Sequence, residues 1–195
     1  MDDKGNNVID LIRQMEKLYI EISRLIKCFD KNIQKRGYLL PSSSSSVIKD
    51  ISQSLNAPEN WLPMWLYRNY QNNANKEVLS LNIALDYPEF PERINEPLVL
   101  VAKFSGKKVD LDHAWYPWDI YFHFRPLTKR YNKIYLLKDF NLNDNDTLEE
   151  LSDWSKEEKE NLTNHFKAIS FIAAPLMEMS DEKNIIKFID PIFNQ

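Results

Sequence analysis

The chain has 195 residues, a net charge of −4 and a hydrophobic fraction of 43%, values that are typical of a globular protein and exclude a disordered chain. The acidic balance disfavours a dedicated nucleic-acid-binding protein, which usually carries a basic face. Only 3 glycines occur, which excludes the glycine-rich phosphate loops of P-loop and dinucleotide-binding proteins. The single cysteine, Cys28, excludes an internal disulfide and predicts a reducing compartment.

The distribution of apolar residues predicts a cytoplasmic protein that does not enter a membrane. The first residues are polar and acidic, and no apolar signal core follows them. The longest apolar run, 168–177, is interrupted by Ser170 and Pro175. It is much shorter than the ~20 apolar residues that a membrane-spanning helix needs.

The first predicted element is a long amphipathic helix over about residues 7–35. Apolar residues recur at three- and four-residue steps from Val8 to Ile33, and Gly37 is placed to end the helix. Two interpretations follow. The apolar stripe packs across the sheet of its own domain, or it forms a coiled-coil homodimer through residues 8–33. The stripe is wider than a two-position coiled-coil seam, which favours packing on its own sheet.

Two short helices are predicted next, so that residues 6–70 form a helical region. The first follows the serine run 42–46 and covers 47–55. The second covers about 62–69, because tryptophans and leucines repeat there at four-residue spacing and Pro63 suits a first helical turn.

The middle of the chain, residues 76–140, is predicted to be rich in β-strands. Alternating or continuous apolar runs between turn residues indicate four strands, at 78–86, 98–104, 118–125 and 133–139. Their short connections predict an antiparallel meander. One face of the first strand carries Leu79, Leu81, Ile83 and Leu85. The inner face of the second is assigned to Leu98, Leu100, Ala102 and Phe104.

The last region, residues 147–193, is predicted to be helical. Ser155 begins a capping box for a helix that runs to about Ala174, where Pro175 stops it. Ser180 or Asp181 then caps a final helix. The order of elements predicts a single α+β domain over residues 1–195. Its antiparallel sheet of about four strands, roughly 78–139, is packed by the long N-terminal helix and the C-terminal helices.

One predicted strand carries the only candidate catalytic residues. Successive side chains of a strand point to opposite faces, so residues 118–125 sort into an apolar face and an ionisable one. The ionisable face carries Asp119, Tyr121, His123 and Arg125. His123 could transfer a proton while Arg125 binds an anionic substrate, and the loop residues Asp112 and His113 could join them. The alternative, which we favour, is an exposed polar sheet face.

No metal site or cofactor is predicted. Asp119 and His123 would lie ~13 Å apart on a straight strand, which is too far for one metal ion whose ligands lie ~2 Å away. We therefore expect no metal ligands and no cofactor in this chain.

Aromatic and arginine residues that cluster in two segments are the candidate binding residues. They are Trp115, Tyr116 and Trp118 in one segment and Arg68 and Tyr70 in the other. Aromatic side chains and arginine are enriched at interaction hot spots, although they also fill protein cores. A further alternative is single-stranded nucleic-acid binding, in which the aromatic rings stack on bases beside basic residues of the β-rich region. These basic residues are Lys103, Lys107, Lys108, Lys129, Arg130 and Lys133.

Because no catalytic motif is complete, the sequence favours a non-catalytic cytoplasmic interaction domain with a protein partner. An enzyme with an acid–base site on the Asp119 face and a nucleic-acid-binding protein are the alternatives that the sequence leaves open.

Overall fold

The computed structural model describes residues 3–40, 48–49, 56, 63, 65–72, 74, 76–86, 96–106, 135–138, 155–157, 160, 164 and 167–194. Within these residues the chain forms one antiparallel sheet and two α-helices, so the predicted α+β fold class is confirmed. The elements are α1 Asp3–Gln34, β1 Ile48–Lys49, β2 Trp65–Asn72, β3 Glu77–Ala84, β4 Leu98–Ser105, β5 Tyr135–Lys138, β6 Ala168–Pro175, a 3-10 helix Leu176–Glu178 and α2 Glu182–Phe193.

The sheet has six strands among the described residues, in the order β1-β2-β3-β4-β6-β5. The first four strands follow one another as an antiparallel meander, as the sequence predicts for β3 and β4. The C-terminal strand β6 then inserts between β4 and β5, so that β5 pairs with β6. The short strands β1 and β5 therefore form the two edges. The predicted strand 118–125 lies outside the described residues.

The core lies between the sheet and the two helices. The C-terminal half of α1 contributes apolar side chains from Ile22 to Ile33, and α2 contributes Ile185 and Ile189. From β3 the same layer receives Leu79, Leu81 and Ile83, which confirms the predicted face of that strand. Leu85 packs against this layer and is partly buried. The prediction that the helix stripe packs on its own sheet is therefore right for the second half of α1.

Both helices have clear boundaries. Gly37 has φ +83°, and the amides of Gly37 and Tyr38 donate to the carbonyls of Gln34 and Ile33. This is the Schellman arrangement that glycine favours, and it confirms the predicted end of α1. Asp181 caps α2 by accepting a hydrogen bond from the Asn184 amide at 2.8 Å, as the sequence predicts.

The predicted helix over 62–69 is wrong, because residues 65–72 form β2. A four-residue repeat places side chains on one face of a helix, but it also places them on one face of a strand, since the strand period is two. The inward face of β2 also contains Arg68, and this charged residue interrupts the apolar alternation that would indicate a strand in the sequence. The predicted helix over 47–55 is also wrong where the structure describes it, since Ile48–Lys49 is β1.

The prediction that a helix continues to Ala174 is wrong as well. The described residues Lys156, Glu157, Glu160 and Asn164 are helical, but Ala168–Pro175 is β6. Six of its eight residues are buried. A strand that is covered on both faces is a nearly continuous apolar run, and periodicity does not separate such a run from a buried helix.

The face of β4 was assigned to the wrong residues. The register pairs Val99 with Ile83 and Val101 with Leu81, so the valines face the helices. The residues assigned inward, Leu98, Leu100, Ala102 and Phe104, lie on the opposite face and are buried too. Because both faces of β4 are covered, alternation carried no information on which face meets the helices.

Candidate functional site

Most of the predicted site residues lie outside the described part of the chain. This holds for the proposed catalytic residues Asp119, Tyr121, His123 and Arg125 and for the accompanying Asp112 and His113. It also holds for the candidate binding residues Trp115, Tyr116 and Trp118. Their roles therefore stay predictions. Of the named binding residues, the structure describes Arg68 and Tyr70.

Arg68 and Tyr70 meet Asp30 of α1 in a buried polar cluster. The Arg68 guanidinium donates from Nε to Asp30 Oδ1 at 2.9 Å and from Nη2 to Oδ2 at 3.1 Å. The Tyr70 hydroxyl donates to Asp30 Oδ1 at 2.6 Å. The side chains of Arg68 and Asp30 are 5% and 18% exposed. Such a two-pronged pairing fixes the relative orientation of helix and strand.

The cluster joins α1 to β2 and presents little surface to a ligand. Tyr70 is fully buried, and its ring lies 5.5 Å from the Phe29 ring. Burial raises the pKa of Tyr70 above its ordinary value near 10, and the bond to Asp30 raises it further. The hydroxyl therefore stays protonated and keeps donating. A role of Arg68 and Tyr70 in binding a partner stays a prediction, because here their side chains are used inside the domain.

A second cluster holds the end of α1 against β3 and α2. The buried Tyr38 hydroxyl donates to a Glu77 carboxylate oxygen, and Arg36 forms an ion pair with Asp190. The Arg36 guanidinium also lies 4.4 Å from the centre of the Phe193 ring. Burial raises the pKa of Tyr38, as does its bond to Glu77. These contacts hold the end of α1 against β3 and α2.

A buried polar ladder crosses the opposite face of the sheet. Asn82 Nδ2 donates to Ser80 Oγ at 2.9 Å, and Ser80 Oγ donates to Asn69 Oδ1 at 2.7 Å. Ser80 and Asn82 are fully buried. Asn82 Oδ1 accepts no hydrogen bond among the atoms that the structure describes. Such an oxygen costs stability unless a donor reaches it.

The first half of α1 exposes an apolar stripe. All residues from Gly5 to Gln14 are exposed. Val8 is 56%, Leu11 60% and Ile12 53% exposed. The stripe, defined here as Val8, Leu11, Ile12, Met15, Leu18 and Tyr19, then becomes half-buried where α1 reaches the sheet.

A cavity of about 590 Å³ continues this stripe. We call it groove 1, and it lies between α1 and the segment that joins β6 to α2. Its apolar walls are formed by Leu18, Ile22 and Leu25 on one side and Leu176, Met177, Met179 and Ile185 on the other. Leu18 belongs to both the stripe and groove 1, so the two surfaces are continuous. Charged residues of both signs, including Lys17 and Glu182, line the rim.

Cys28 lines groove 1 but is poorly suited to act as a nucleophile. Burial raises the pKa of its thiol, and the Glu182 carboxylate raises it further. The thiolate is the reactive form, so a raised pKa lowers reactivity at neutral pH. The sulfur also lies 3.7 Å from Asn32 Nδ2.

Sequence reasoning found the helix stripe but missed groove 1 and the boundary between covered and exposed turns. A signal for that boundary was present. The helix has 32 residues and is about 48 Å long, whereas a strand of 8 residues spans about 27 Å. A sheet of that height leaves several turns of such a helix uncovered. Groove 1 depends on the placement of β6, which was predicted as helix.

Comparisons with family models, curated proteins and solved structures found no match. Among the described residues, no group of three or more His, Cys, Asp and Glu side chains is arranged to hold a metal ion. No helix in this part of the chain has the length and apolarity needed to cross a bilayer.

Proposed function

We propose that this protein is a non-catalytic protein-interaction domain and that it binds its partner through the exposed stripe of α1 and groove 1. The observation that carries this proposal is the exposure of Val8, Leu11 and Ile12, each more than half accessible on one helix face. Monomeric proteins seldom expose contiguous large apolar side chains, and such patches mark interaction sites.

The low stability expected for the exposed half of α1 supports the proposal. The residues from Gly5 to Gln14 are all exposed, so tertiary packing adds little to their helical stability. Isolated helices shorter than ~12–15 residues are marginal in water. A partner that covers the stripe would bury apolar surface and stabilise these turns.

The shape and chemistry of groove 1 suit an amphipathic helix of the partner. Helix-in-groove recognition lays an apolar helix face between apolar walls and leaves its charged side chains at the rim. Met177, which is 76% exposed, and Met179 line one wall. Methionine side chains adapt to differently shaped apolar surfaces. The mixed charges of the rim would pair with charges of either sign.

Self-association is one form of this function. The sequence suggests a homodimer through residues 8–33. The fold shortens the part of α1 that is available for such a contact, because the apolar residues from Ile22 to Ile33 pack in the core of the same chain. The stripe from Val8 to Tyr19 and groove 1 stay accessible for such a contact. We place the domain in the cytoplasm, since a chain with one cysteine is typical of a reducing compartment. Trp115, Tyr116 and Trp118 stay candidates for additional contacts.

Site-specific photo-crosslinking in cells tests the proposal. A photoreactive phenylalanine analogue replaces Leu11 on the stripe, and in a matched control it replaces Arg13, whose side chain is 67% exposed on the polar face. We expect discrete protein adducts from position 11 and none from position 13. Equal labelling at both positions, or no protein adduct at position 11, would contradict the proposed function.

A further inference from the structure

We infer that Met177 is a modification site, at which oxidation by hydrogen peroxide to methionine sulfoxide weakens the binding of a partner to groove 1. This inference rests on the proposed function and adds a chemical regulation of the same surface. It is carried by one wall of groove 1, where Met177 and Met179 lie two residues apart in the chain and differ strongly in their exposure to solvent.

Solvent exposure separates Met177 from its neighbour. Met177 lies in the 3-10 helix Leu176–Glu178 and is 76% exposed. Met179 is 9% exposed and belongs to the core layer, and its amide donates to the Leu176 carbonyl at 3.0 Å. Peroxide is a solute, so it reaches an exposed methionine more readily than a buried one. The wall therefore holds one methionine that an oxidant reaches and one that the fold protects.

The reaction with hydrogen peroxide changes a single atom of the side chain. The thioether sulfur of Met177 attacks one peroxide oxygen, and an S–O bond forms while the O–O bond breaks. The departing oxygen takes up the proton of the transferred oxygen and leaves as water. The sulfur gives up two electrons, which reduce the peroxide. An apolar thioether thereby becomes a polar sulfoxide, a change that disrupts interfaces containing methionine.

A sulfoxide at position 177 does not fit an apolar wall that a partner covers. Leu176 and Ile185 of the same wall, and Leu25 on the facing wall, have no hydrogen-bond donors in their side chains. A partner that packs its apolar face there would bury the sulfoxide oxygen beside hydrocarbon. Burial of a polar group without a hydrogen bond is unfavourable, so we expect partner binding to weaken by about tenfold. Loss of the apolar thioether contacts acts in the same direction.

Besides the two methionines, Cys28 contributes a sulfur atom to groove 1. Burial raises the pKa of its thiol, which lowers the fraction of the reactive thiolate. The experiment nevertheless uses Cys28→Ala as the background, so that every effect of peroxide on binding arises from a methionine. Met15, half-buried on the stripe, is present in all compared chains and contributes equally to each.

Oxidation of purified full-length chains, followed by photo-crosslinking, tests the inference. Each chain carries Cys28→Ala and the photoreactive phenylalanine analogue at position 11. It is treated with hydrogen peroxide, freed of peroxide by catalase and irradiated in cell lysate, beside an untreated portion of the same chain. Two matched variants, Met177→Leu and Met179→Leu, each remove one thioether with little change in side-chain volume. Peptide mass spectrometry measures the sulfoxide formed at each methionine.

We expect the sulfoxide at position 177 to form at least about tenfold faster than the sulfoxide at position 179. Oxidation should lower the adduct yield by about tenfold in the background chain and in Met179→Leu, but should change it little in Met177→Leu. Equal oxidation of the two methionines, or equal losses of adduct in Met177→Leu and the background, would overturn the inference. Should oxidation leave the adduct yield of the background unchanged, this inference fails while the proposed function stands. The absence of adducts from every untreated chain would instead contradict the proposed function, and this inference with it.

Discussion

At the scale of single residues, the most consequential contact is the ion pair of Asp30 with Arg68. Arg68 is 5% exposed, so removing the Asp30 carboxylate removes a charge-assisted contact in a poorly solvated place. Removing one partner of a buried ion pair lowers the free energy of unfolding strongly. Replacing both partners by apolar residues of similar volume often changes it little. The cluster was hidden in the sequence, where Arg68 and Asp30 are 38 positions apart and each resembles a surface charge.

The variant Asp30→Asn tests this contact. We expect the free energy of unfolding to fall by about 3 kcal/mol, because the amide keeps an acceptor for the Tyr70 hydroxyl but loses the charge that balances Arg68. Urea denaturation measures the change. The control Glu21→Gln breaks the exposed pair with Arg24 and should cost less than 1 kcal/mol. Equal losses in the two variants would contradict a structural role of the cluster.

The buried tyrosine makes a prediction about alkaline pH. Burial and Asp30 raise the pKa of Tyr70 in the folded chain, while the unfolded side chain titrates near its ordinary value of 10.0. Above that pH the unfolded chain binds fewer protons than the folded chain, so stability falls as pH rises. The slope approaches about 1.4 kcal/mol per pH unit for each such tyrosine.

Comparison of wild type with Tyr70→Phe by urea denaturation isolates this effect. Below pH 10 the variant should be less stable by about 1.5 kcal/mol, since it lacks a hydrogen bond to a charged group. Above pH 10 the difference should shrink, because only the wild type loses stability through this side chain. The pKa of Tyr38 is also raised by burial. Tyr38 contributes equally to the pH dependence of stability in both proteins, so it cancels from the difference between them. A difference that is constant from pH 8 to roughly 11 would contradict the assignment.

At the scale of elements, α1 combines two halves with different roles. Its second half packs in the core, where Phe29 is 1% exposed, and its first half exposes Ile12 at 53%. The same amphipathic pattern therefore covers the core in the second half of α1 and forms an exposed apolar surface in the first half. The sequence predicted the helix and its end at Gly37, because capping and periodicity are local. It did not predict the change of role near Ile22, which depends on the height of the sheet.

Paired alanine variants separate the two halves. Phe29→Ala should lower the free energy of unfolding by about 3–5 kcal/mol, as large-to-small core changes do. Ile12→Ala should change it by less than about 0.5 kcal/mol when the protein is dilute enough to be monomeric. Thermal and urea unfolding at micromolar concentration provide the measurement. A large loss for Ile12→Ala in the monomer would mean that the stripe is covered within its own chain.

Gly5 and Gly37, two of the described glycines, offer a matched pair for the two ends of α1. Gly37 has φ +83°, so Gly37→Ala should cost about 1 kcal/mol, even though the added Cβ meets Asn72 Nδ2 at an ordinary 3.6 Å. Gly5 lies inside α1 with nothing within 4 Å of an added Cβ, and Gly5→Ala should leave stability unchanged or higher. Opposite signs in urea denaturation are the expected outcome; a neutral Gly37→Ala would argue against the left-handed cap.

The strands show which local signals fail. Both β2 and β6 were predicted as helix, for different reasons. Trp65 and Leu66 at the start of β2 follow Trp61 and Leu62 in the sequence at a spacing of four, which is compatible with a period of two. In β6, both faces are buried and no alternation is left. Their assignment depends on pairing with β3 and β4, which are distant in the sequence.

At the scale of the whole molecule, the fold has a stable body and a projecting helix half. The core layer joins α1 from Ile22 onwards with β2, β3, β4, β6 and α2. Local contacts decrease towards the N-terminal turns, and local opening is easiest where buried contacts are few. Stability should therefore be uneven along a single helix.

Hydrogen exchange measures this gradient. At low protein concentration we expect the amides of residues 8–14 to exchange through local opening, while those of 26–33 exchange only with global unfolding. Uniform protection along α1 at low concentration would contradict the two-part helix, and the amides of β3 provide the reference for global exchange.

The edges of the sheet have a consequence for solubility. Among the described residues, the sheet ends in β1, which has 2 residues, and in β5, which has 4. Fibril growth by strand addition needs a long row of unpaired amide and carbonyl groups, which such short edges do not supply. Concentrated solutions of the folded protein should therefore stay free of amyloid, and any assembly they form should dissolve again on dilution.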